Sequence, residues 1–148
     1  MSFSHPRGVR FQCQHCAACC GDTETRVRHV LLLRFEADRV SKATSQPINE
    51  FARRIEDHEP YVYEMNKTSE GRKCVFLKGN HCEIYTLRPL ICRFYPFELK
   101  TTKNGKHKFS YTGECKGIGK GKQLDRSYFE TLFQQASNQL LSDLETYK

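Results

Sequence analysis

Residues 13–20 read Cys-Gln-His-Cys-Ala-Ala-Cys-Cys, which places four of the chain's eight cysteines within one short stretch. A buried structural cysteine behaves as a small hydrophobe, and core packing gives it no reason to recur at every third residue. Closely spaced thiols converge on one point when something occupies that point, and the natural occupant is a thiophilic metal or an iron–sulfur cluster. The spacing therefore predicts that residues 1–25 form an irregular segment organised by metal.

The remaining cysteines are far apart in sequence, at Cys74, Cys82, Cys92 and Cys115. Structural zinc usually takes two C-x2–4-C pairs, and the second half of the chain contains no such pair. Eight thiols suit two four-coordinate sites, or one cluster together with other cysteine chemistry. The predicted metal ligands are all eight cysteines: Cys13, Cys16, Cys19, Cys20, Cys74, Cys82, Cys92 and Cys115.

The C-x2-C-x2-C spacing of Cys13, Cys16 and Cys19 is typical of ferredoxin segments that ligate three corners of a [4Fe–4S] cluster. A distant cysteine supplies the fourth ligand, and we favour Cys92 because prolines flank its helix. Cys74, Cys82 or Cys115 would serve nearly as well as the fourth ligand. Adjacent side chains diverge, so Cys20 is expected to serve a second site. The expected members of that second site are Cys20, Cys74, Cys82 and Cys115.

Arg88 and Arg93 lie on either side of Cys92 and are the predicted cofactor-binding residues. Their guanidinium groups could neutralise a thiolate-rich cluster or bind an anionic ligand. The competing interpretation is a structural ion pair with a nearby carboxylate, Glu83, Glu98 or Asp22. His15 and His81 are weaker ligand candidates, because a lone histidine is more often a surface or hydrogen-bonding residue.

Hydrophobic spacing and turn residues predict an α+β fold, a small metal-stabilised domain spanning residues 1–148, with two β-hairpins and short helices. The expected elements are a strand at 27–33, helices at 36–43 and 48–55, a strand at 61–65, a hairpin joining 74–77 to 82–85, a short helix capped by Thr86 with Pro89 in its first turn, a hairpin joining 97–100 to 108–111, and a Gly/Lys loop at 113–121.

The last segment, about residues 124–147, predicts an amphipathic helix that packs on the core, with a partner or dimer helix as the alternative. Asp125 or Ser127 is expected to cap its start. Its apolar positions recur at helical spacing: Leu124, Tyr128, Phe129, Leu132, Phe133, Ala136, Leu140, Leu141, Leu144 and Tyr147.

The composition favours a cytoplasmic protein that does not cross a membrane. No run of about 18 apolar residues is present, and the N-terminus lacks the apolar region of a signal peptide. Reduced thiolates are therefore expected rather than disulfides. Seven lysines and one acid lie between Lys100 and Lys122, within a net charge of +7. This surface could attract an acidic protein or redox partner, and nucleic acid is the less favoured partner because no nucleic-acid-binding motif accompanies it.

Two blocks of sequence resemble the CxxCxxCC family, a cysteine-cluster family of zinc- or iron-chelating domains. The first block holds Cys13, Cys16 and Cys19-Cys20-Gly21, and the second comprises residues 74–77 and 82–97. The resemblance covers about residues 11–115. It implies a metal or iron–sulfur site and leaves the biochemical role open.

The function expected from the sequence is binding of an iron–sulfur cluster, a [4Fe–4S] centre, with electron transfer or cluster-assisted chemistry as its use. The first alternative is a zinc-binding structural or interaction module, and the second is a metal chaperone. No nucleophile and base form a pair that would name an enzymatic reaction.

Overall fold

The computed structural model describes residues 3–14 and 16–146, with side chains described for all of these except residue 18 and residues 141–146. The fold is α+β, as predicted. The strands are Phe3–Ser4 (β1), Arg10–Phe11 (β2), Leu31–Leu32 (β3), Ala52–Arg54 (β4), Tyr63–Met65 (β5), Leu77–Lys78 (β6), His81–Cys82 (β7), Phe97–Thr101 (β8), His107–Tyr111 (β9) and Ile118–Gln123 (β10). The α-helices are Arg34–Thr44 (α1), Leu90–Phe94 (α2) and Arg126–Thr146 (α3), and short 3₁₀ turns occupy Ala18–Cys20, Ile48–Glu50 and Tyr85–Leu87.

The strands form small separate sheets. One sheet has the order β1-β9-β8, with β1 parallel to β9 and β8 antiparallel to β9. A second sheet has the order β3-β5-β4 and is antiparallel throughout. Two-stranded antiparallel pairs join β2 to β10 and β6 to β7.

Two groups of buried side chains organise the molecule. The first, called the aromatic core below, joins β8, β9 and α2 to α3. Its buried members are Val9, Leu90, Phe94, Phe97, Phe109, Phe129, Leu132, Phe133 and Ala136. The second, called the thiol-side core, is built from α1, the β3-β5-β4 sheet and the segment around Cys74. Its buried members are Val30, Leu32, Ala37, Val40, Phe51, Ala52, Met65, Cys74, Phe76 and Ile84.

Several predicted elements are confirmed. The helix expected at residues 36–43 is α1, and the hairpin expected around Asn104-Gly105 is β8-β9. The C-terminal helix is α3, and the Tyr128 amide donates to Asp125 Oδ1 over 3.1 Å, so Asp125 caps its first turn. Tyr147 lies outside the described residues, as do the side chains of Leu141 and Leu144.

The predicted helix at residues 48–55 is wrong. A single 3₁₀ turn at Ile48–Glu50 is followed by strand β4, which pairs with β5. Phe51 and Ala52 are buried as the helical pattern predicted, but they face the core from a turn and a strand. The apolar spacing of residues 48–55 favours a helix, but pairing with residues 63–65 makes part of this segment a strand. Such pairing between distant segments cannot be read from the local sequence.

The expected Gly/Lys loop at residues 113–121 is also corrected, because its second half belongs to strand β10 and pairs with β2. The first hairpin is shorter than predicted and confined to β6 and β7. The strand expected at 27–33 contracts to β3. Thr86 lies within the 3₁₀ turn before α2, and Pro89 precedes that helix instead of occupying its first turn.

A buried carboxylate joins α1 to α2. Glu36 accepts hydrogen bonds from the Leu33 amide at 2.9 Å and from the Leu90 amide at 2.5 Å. The first few backbone amides of a helix have no acceptor within the helix. Glu36 supplies an acceptor for one such amide at the start of α1 and for one at the start of α2. Burial raises the pKa of the Glu36 carboxyl, although both amide donors and the nearby Arg39 and Arg93 oppose this shift.

Within the described part of the chain, no helix combines the length and apolar character needed to cross a bilayer.

Candidate metal centre

The cysteines divide into two groups according to the thiols that act on one another. Five of them lie close enough to perturb one another's titration, and we call them the five-thiol cluster: Cys19, Cys20, Cys74, Cys82 and Cys92. The other three form the three-thiol group: Cys13, Cys16 and Cys115, in which Cys16 and Cys13 act on Cys115.

This grouping differs from the partition predicted from the sequence, which placed Cys19 with Cys13 and Cys16. Ala17 adopts a left-handed conformation with φ of 63°, and the chain enters a 3₁₀ turn immediately after it. The left-handed residue reorients the chain between Cys16 and Cys19. Cys19 consequently lies near Cys20, Cys74, Cys82 and Cys92.

Gly21 fixes the position of the vicinal pair beside Cys74. It forms an antiparallel bridge with Lys73, and the Cys74 amide donates to the Cys20 carbonyl. A Cβ at Gly21 would lie 2.6 Å from the Arg72 carbonyl oxygen, so a larger residue would separate the two strands. The close backbone approach therefore depends on glycine and brings the Cys19-Cys20 segment against the Cys74 segment.

The side chains of Cys19 and Cys20 form a hydrogen bond with each other. Their Sγ atoms are 3.9 Å apart, which contradicts the expectation that these adjacent side chains diverge. The hydrogen bond from Cys20 lowers the pKa of Cys19 to about 6, with Arg28 and Arg88 contributing, whereas the same pairing and burial raise the pKa of Cys20. The lowered pKa favours the thiolate form of Cys19, which is the protonation state that binds metals.

The other thiols of the five-thiol cluster are less acidic. Burial raises the pKa of Cys74 to about 11 and that of Cys92 to about 12, and it also raises the pKa of Cys82. Neighbouring thiols add to each of these shifts. Metal binding at these sulfurs would therefore release protons.

Arg28 is a residue of this site that the sequence reasoning missed. Its Nε donates to the Cys19 carbonyl over 3.0 Å, and its charge favours the thiolates of Cys19 and Cys92. Asp22 holds the loop in place, because its Oδ1 accepts from the Arg28 amide at 2.8 Å and from Lys67 Nζ at 2.7 Å. No spacing rule links Arg28 to Cys92, so the sequence carried no signal for this contact.

Arg88 and Arg93 lie in different surroundings. Arg88 favours the thiolates of Cys19 and Cys82, whereas Arg93 has Arg39, Arg88 and Glu36 as its charged neighbours. Burial lowers the pKa of Arg93, and the like charges of Arg39 and Arg88 lower it further. Among the described side chains, neither arginine forms an ion pair within 4.0 Å with the predicted carboxylates Glu83, Glu98 and Asp22.

The three-thiol group is assembled by the pairing of β2 with β10. The Gln12 amide donates to the Gly117 carbonyl over 3.1 Å, and a Cβ at Gly117 would lie 2.4 Å from the Gln12 carbonyl oxygen. This contact lays the segment before Cys13 against the segment after Cys115. Burial raises the pKa of Cys115, and the thiols of Cys16 and Cys13 add to the shift.

Tyr95 lies near Cys115 and carries two cations over its ring. The guanidinium carbons of Arg26 and Arg28 are 5.1 and 5.0 Å from the ring centroid. The Tyr95 hydroxyl is buried without a hydrogen-bond partner. Because Arg28 also contacts the Cys19 segment, Tyr95 and Arg28 connect the surroundings of the two thiol groups.

Both groups consist of cysteine sulfurs. The ligand candidate His81 is an exposed residue of the β6-β7 hairpin. His15 falls outside the described residues. Within the described ranges 3–14 and 16–146, no three cysteine, histidine or carboxylate side chains lie close enough together to hold a single ion as placed. As placed, the five thiols therefore do not form one ion's coordination shell.

The fold and its gathered thiols define a class, the cysteine-rich metal-binding α+β domains. A family model described as "Putative zinc- or iron-chelating domain", CxxCxxCC, matches residues 12–116, and the chain belongs to this family. The protein is therefore a metal-binding protein of the zinc- or iron-chelating type, as the resemblance implied.

Curated relatives match over most of the chain. Uncharacterized protein MJ0661 of Methanocaldococcus jannaschii is 31% identical over 83% of this chain and 66% of its own length. Uncharacterized protein MJ0939 of the same organism is 26% identical over 78% of this chain and 40% of its own length. The chain thus spans less than two thirds of the length of either relative. No solved structure gives a significant match.

Proposed function

We propose that this protein binds a [4Fe–4S] cluster through four thiolates of the five-thiol cluster and uses it in electron transfer or cluster-assisted chemistry. One observation carries the proposal: five sulfur donors from four separate chain segments gather in one partly buried place. Cysteine thiolates are the usual protein ligands of such clusters. A cube with its corners several ångströms apart can take ligands from segments that a single ion could not reach together.

The surroundings suit an anionic cluster. Arg28 and Arg88 supply positive charge beside the thiolates, which offsets the negative charge of a cysteine-ligated centre. Phe76 and Ile84 belong to the thiol-side core, and Ile91 packs against this core together with Cys20, Cys82 and Cys92. Such an apolar surrounding limits water access and tunes the potential of a bound cluster.

The cluster ligands that we propose are Cys19, Cys74, Cys82 and Cys92. Cys20 is not a ligand in this assignment and forms a hydrogen bond with Cys19. The assignment keeps Cys19 and Cys92 together, as the sequence suggested, and replaces Cys13 and Cys16 with the two cysteines of the 74–82 segment. Cys13, Cys16 and Cys115 would then offer three thiolates to a second metal centre.

Zinc is the second candidate, and the separation of Cys19 and Cys20 favours it. Four thiolates at about 2.3 Å from a tetrahedral zinc ion lie about 3.8 Å from one another. The observed Sγ–Sγ distance of 3.9 Å is close to that edge. In this case the protein would be a structural or interaction module, or a carrier that passes the metal on.

Metal and acid-labile sulfide analysis of anaerobically purified protein separates these candidates. We expect a brown protein with about four iron and four sulfide per chain for a [4Fe–4S] centre. A colourless protein with stoichiometric zinc and no sulfide would establish the second candidate and overturn the first.

Single Cys→Ser substitutions test the ligand assignment. We expect Cys74→Ser, Cys82→Ser and Cys92→Ser to remove the same centre, while Cys115→Ser leaves that centre intact. The Cys115 variant is a matched control for Cys74→Ser, because the two thiols are similarly buried, with 8% and 9% exposure. Loss of the centre in Cys13→Ser and Cys16→Ser, with retention in Cys74→Ser, would restore the partition predicted from the sequence.

An electron-transfer role also needs a partner, and we propose an acidic protein that docks on the lysine-rich surface of residues 100–122. All seven lysines there are exposed, on β8, β9, β10 and their connections. Association steered by such charges should weaken with increasing ionic strength.

A further inference from the structure

A cleft of about 500 Å³ lies between the segment that carries Cys92 and the C-terminal helix. Its volume falls in the range of sites for small ligands, about 300–1,000 Å³. One wall comes from the 3₁₀ turn at Tyr85–Leu87 and α2, and the other comes from the first half of α3. The polar residues that line it are Tyr85, Arg88, Arg93, Tyr128, Thr131 and Gln135.

Backbone carbonyls hold both arginines in place. Arg88 Nε donates to the Tyr85 carbonyl over 3.1 Å, and Arg93 Nε donates to the Arg88 carbonyl over 3.0 Å. A further Arg93 nitrogen donates to the Thr86 carbonyl over 3.3 Å. Each guanidinium has five N–H donors, so most of them are left for other partners. The Arg88 guanidinium also stacks on Tyr85, with its carbon 3.9 Å from the ring centroid.

The positive charges in this region exceed the negative ones, since Glu36 is the acidic neighbour of both Arg39 and Arg93. Among the described residues, no carboxylate lies within 4.0 Å of the nitrogens of Arg88 or Arg93. Arg39 lies close enough to repel Arg93, and two of its guanidinium nitrogens, Nε and one terminal nitrogen, are buried without hydrogen-bond partners. An anion between the walls would relieve this repulsion and use the remaining donors.

We propose that this cleft binds a small phosphate-bearing molecule, with its phosphate on Arg88 and Arg93. Two planar guanidinium groups can contact the three terminal oxygens of a phosphate monoester, whereas a carboxylate is satisfied by one of them. The exposed ring of Tyr85, 49% accessible, lies beside the phosphate position and can contact the remainder of the ligand. Thr131 and Gln135 provide polar contacts from α3.

The site is close to the metal centre but does not depend on it. The charge of Arg88 favours the thiolates of Cys19 and Cys82, and Arg88 also lines the cleft, so the phosphate would lie near the five-thiol cluster. Phosphate binding at the cleft uses arginine and α3 side chains alone. A failed metal analysis would therefore leave this proposal standing, and the reverse also holds.

Calorimetric titration of the purified, metal-containing protein tests the proposal, with inorganic phosphate and adenosine monophosphate as probes and acetate as the carboxylate comparison. We expect both phosphates to bind more tightly than acetate. Arg88→Gln and Arg93→Gln should each weaken phosphate binding about tenfold or more, because each loses charged hydrogen bonds. Arg7→Gln removes the same charge from an exposed residue outside the cleft and should leave binding unchanged.

Gln135→Glu is a second variant that spares the arginines. It places a negative charge on the partly exposed α3 wall and should abolish phosphate binding while circular dichroism and metal content stay unchanged. Absence of phosphate binding to the wild-type protein, tighter binding of acetate, or an equal loss in Arg7→Gln would each overturn the proposal.

Discussion

The thiol-side core and the aromatic core are built on different physical principles. The aromatic core combines the five-residue strands β8 and β9 with the 21-residue helix α3. The thiol-side core relies on strands of two or three residues, including β3, β5 and β6. Long elements bury side chains along a regular face, whereas short ones need other constraints to hold them. From this difference we predict that the metal-binding half, in which only α1 is long, depends on its cysteines for a stability that the aromatic half obtains from packing.

Metal removal should separate the two halves most clearly. Under anaerobic chelation, we expect amide exchange to accelerate by a factor of about ten or more at residues 16–21 and 74–82. The β8-β9 hairpin and the first half of α3 should keep their protection, because Phe109 and Phe129 are buried independently of the thiols. Hydrogen exchange with mass spectrometry measures both regions in one sample. Unchanged exchange at residues 16–21 would show that metal does not hold that segment.

The aromatic core should instead respond to loss of packing. Phe129 is fully buried, and its ring centroid lies 5.1 Å from that of Phe97 and 5.2 Å from that of Phe109. Phe129→Ala should lower the free energy of unfolding by about 3–5 kcal/mol, the usual cost of truncating a buried phenylalanine. Denaturant titration of the metal-containing protein measures this change.

Tyr111→Ala is the matched control, since the Tyr111 ring also lies beside Phe97, with centroids 6.2 Å apart, but is 46% exposed. It should cost much less than Phe129→Ala. If the Phe129 variant retained wild-type stability but lost its metal, the proposed independence of the aromatic core would be wrong.

The same contrast explains what the sequence could reveal. The apolar spacing of α3 and the Asn104-Gly105 turn are local signals, and both elements formed as predicted. The segment at residues 48–55 also had helical spacing, yet Ala52 pairs with Met65 in a sheet. Strand β10 had no local signal, because Gly119 and Gly121 have positive φ values of 89° and 75°, and glycine at two of six positions favours a loop over a strand.

The thiol grouping shows the same limit. Cysteine spacing identified the residues of the candidate site, and membership of the chelating family agrees with that chemistry. It could not show which thiols lie together, because the left-handed turn at Ala17 separates Cys16 from Cys19. Alanine rarely adopts this conformation, so no sequence rule would place the turn there.

Glu36 offers a way to weaken the connection between α1 and α2 without altering a cysteine. In Glu36→Gln, the amide nitrogen cannot accept the hydrogen bond that the Leu90 amide donates. We expect the free energy of unfolding to fall by about 1–3 kcal/mol, the cost of an unsatisfied buried donor, when it is measured at about pH 4, below the ordinary carboxyl pKa. Glu36→Asp keeps both acceptor oxygens on a shorter side chain and tests whether the carboxylate alone suffices.

The stability difference between the wild-type protein and Glu36→Gln should decrease as pH rises. Burial raises the pKa of Glu36 in the folded state, so its contribution to stability is complete below the ordinary carboxyl pKa of 4.5 and is lost as pH rises through the folded-state value. Wild-type stability should therefore decline relative to that of Glu36→Gln as pH rises from this range. Parallel denaturation curves at several pH values measure the difference, and an increase in the wild-type advantage with pH would contradict it.

The smallest expected effect lies at the exposed start of α3. Asp125 accepts hydrogen bonds from the Tyr128 amide and, at 2.7 Å, from the Ser127 hydroxyl. Asp125→Ala removes the cap and should lower the melting temperature by about 3 °C, whereas Asp125→Asn keeps an acceptor and should cost less.

The Ser127 hydrogen bond and the Tyr128 amide lower the pKa of Asp125, so the carboxylate cap stabilises the fold above the ordinary pKa of Asp and loses this effect as pH falls. The difference between wild type and Asp125→Asn should therefore shrink on acidification. A larger loss of metal than of α3 helicity in Asp125→Ala would show that the two halves are more tightly coupled than their packing indicates.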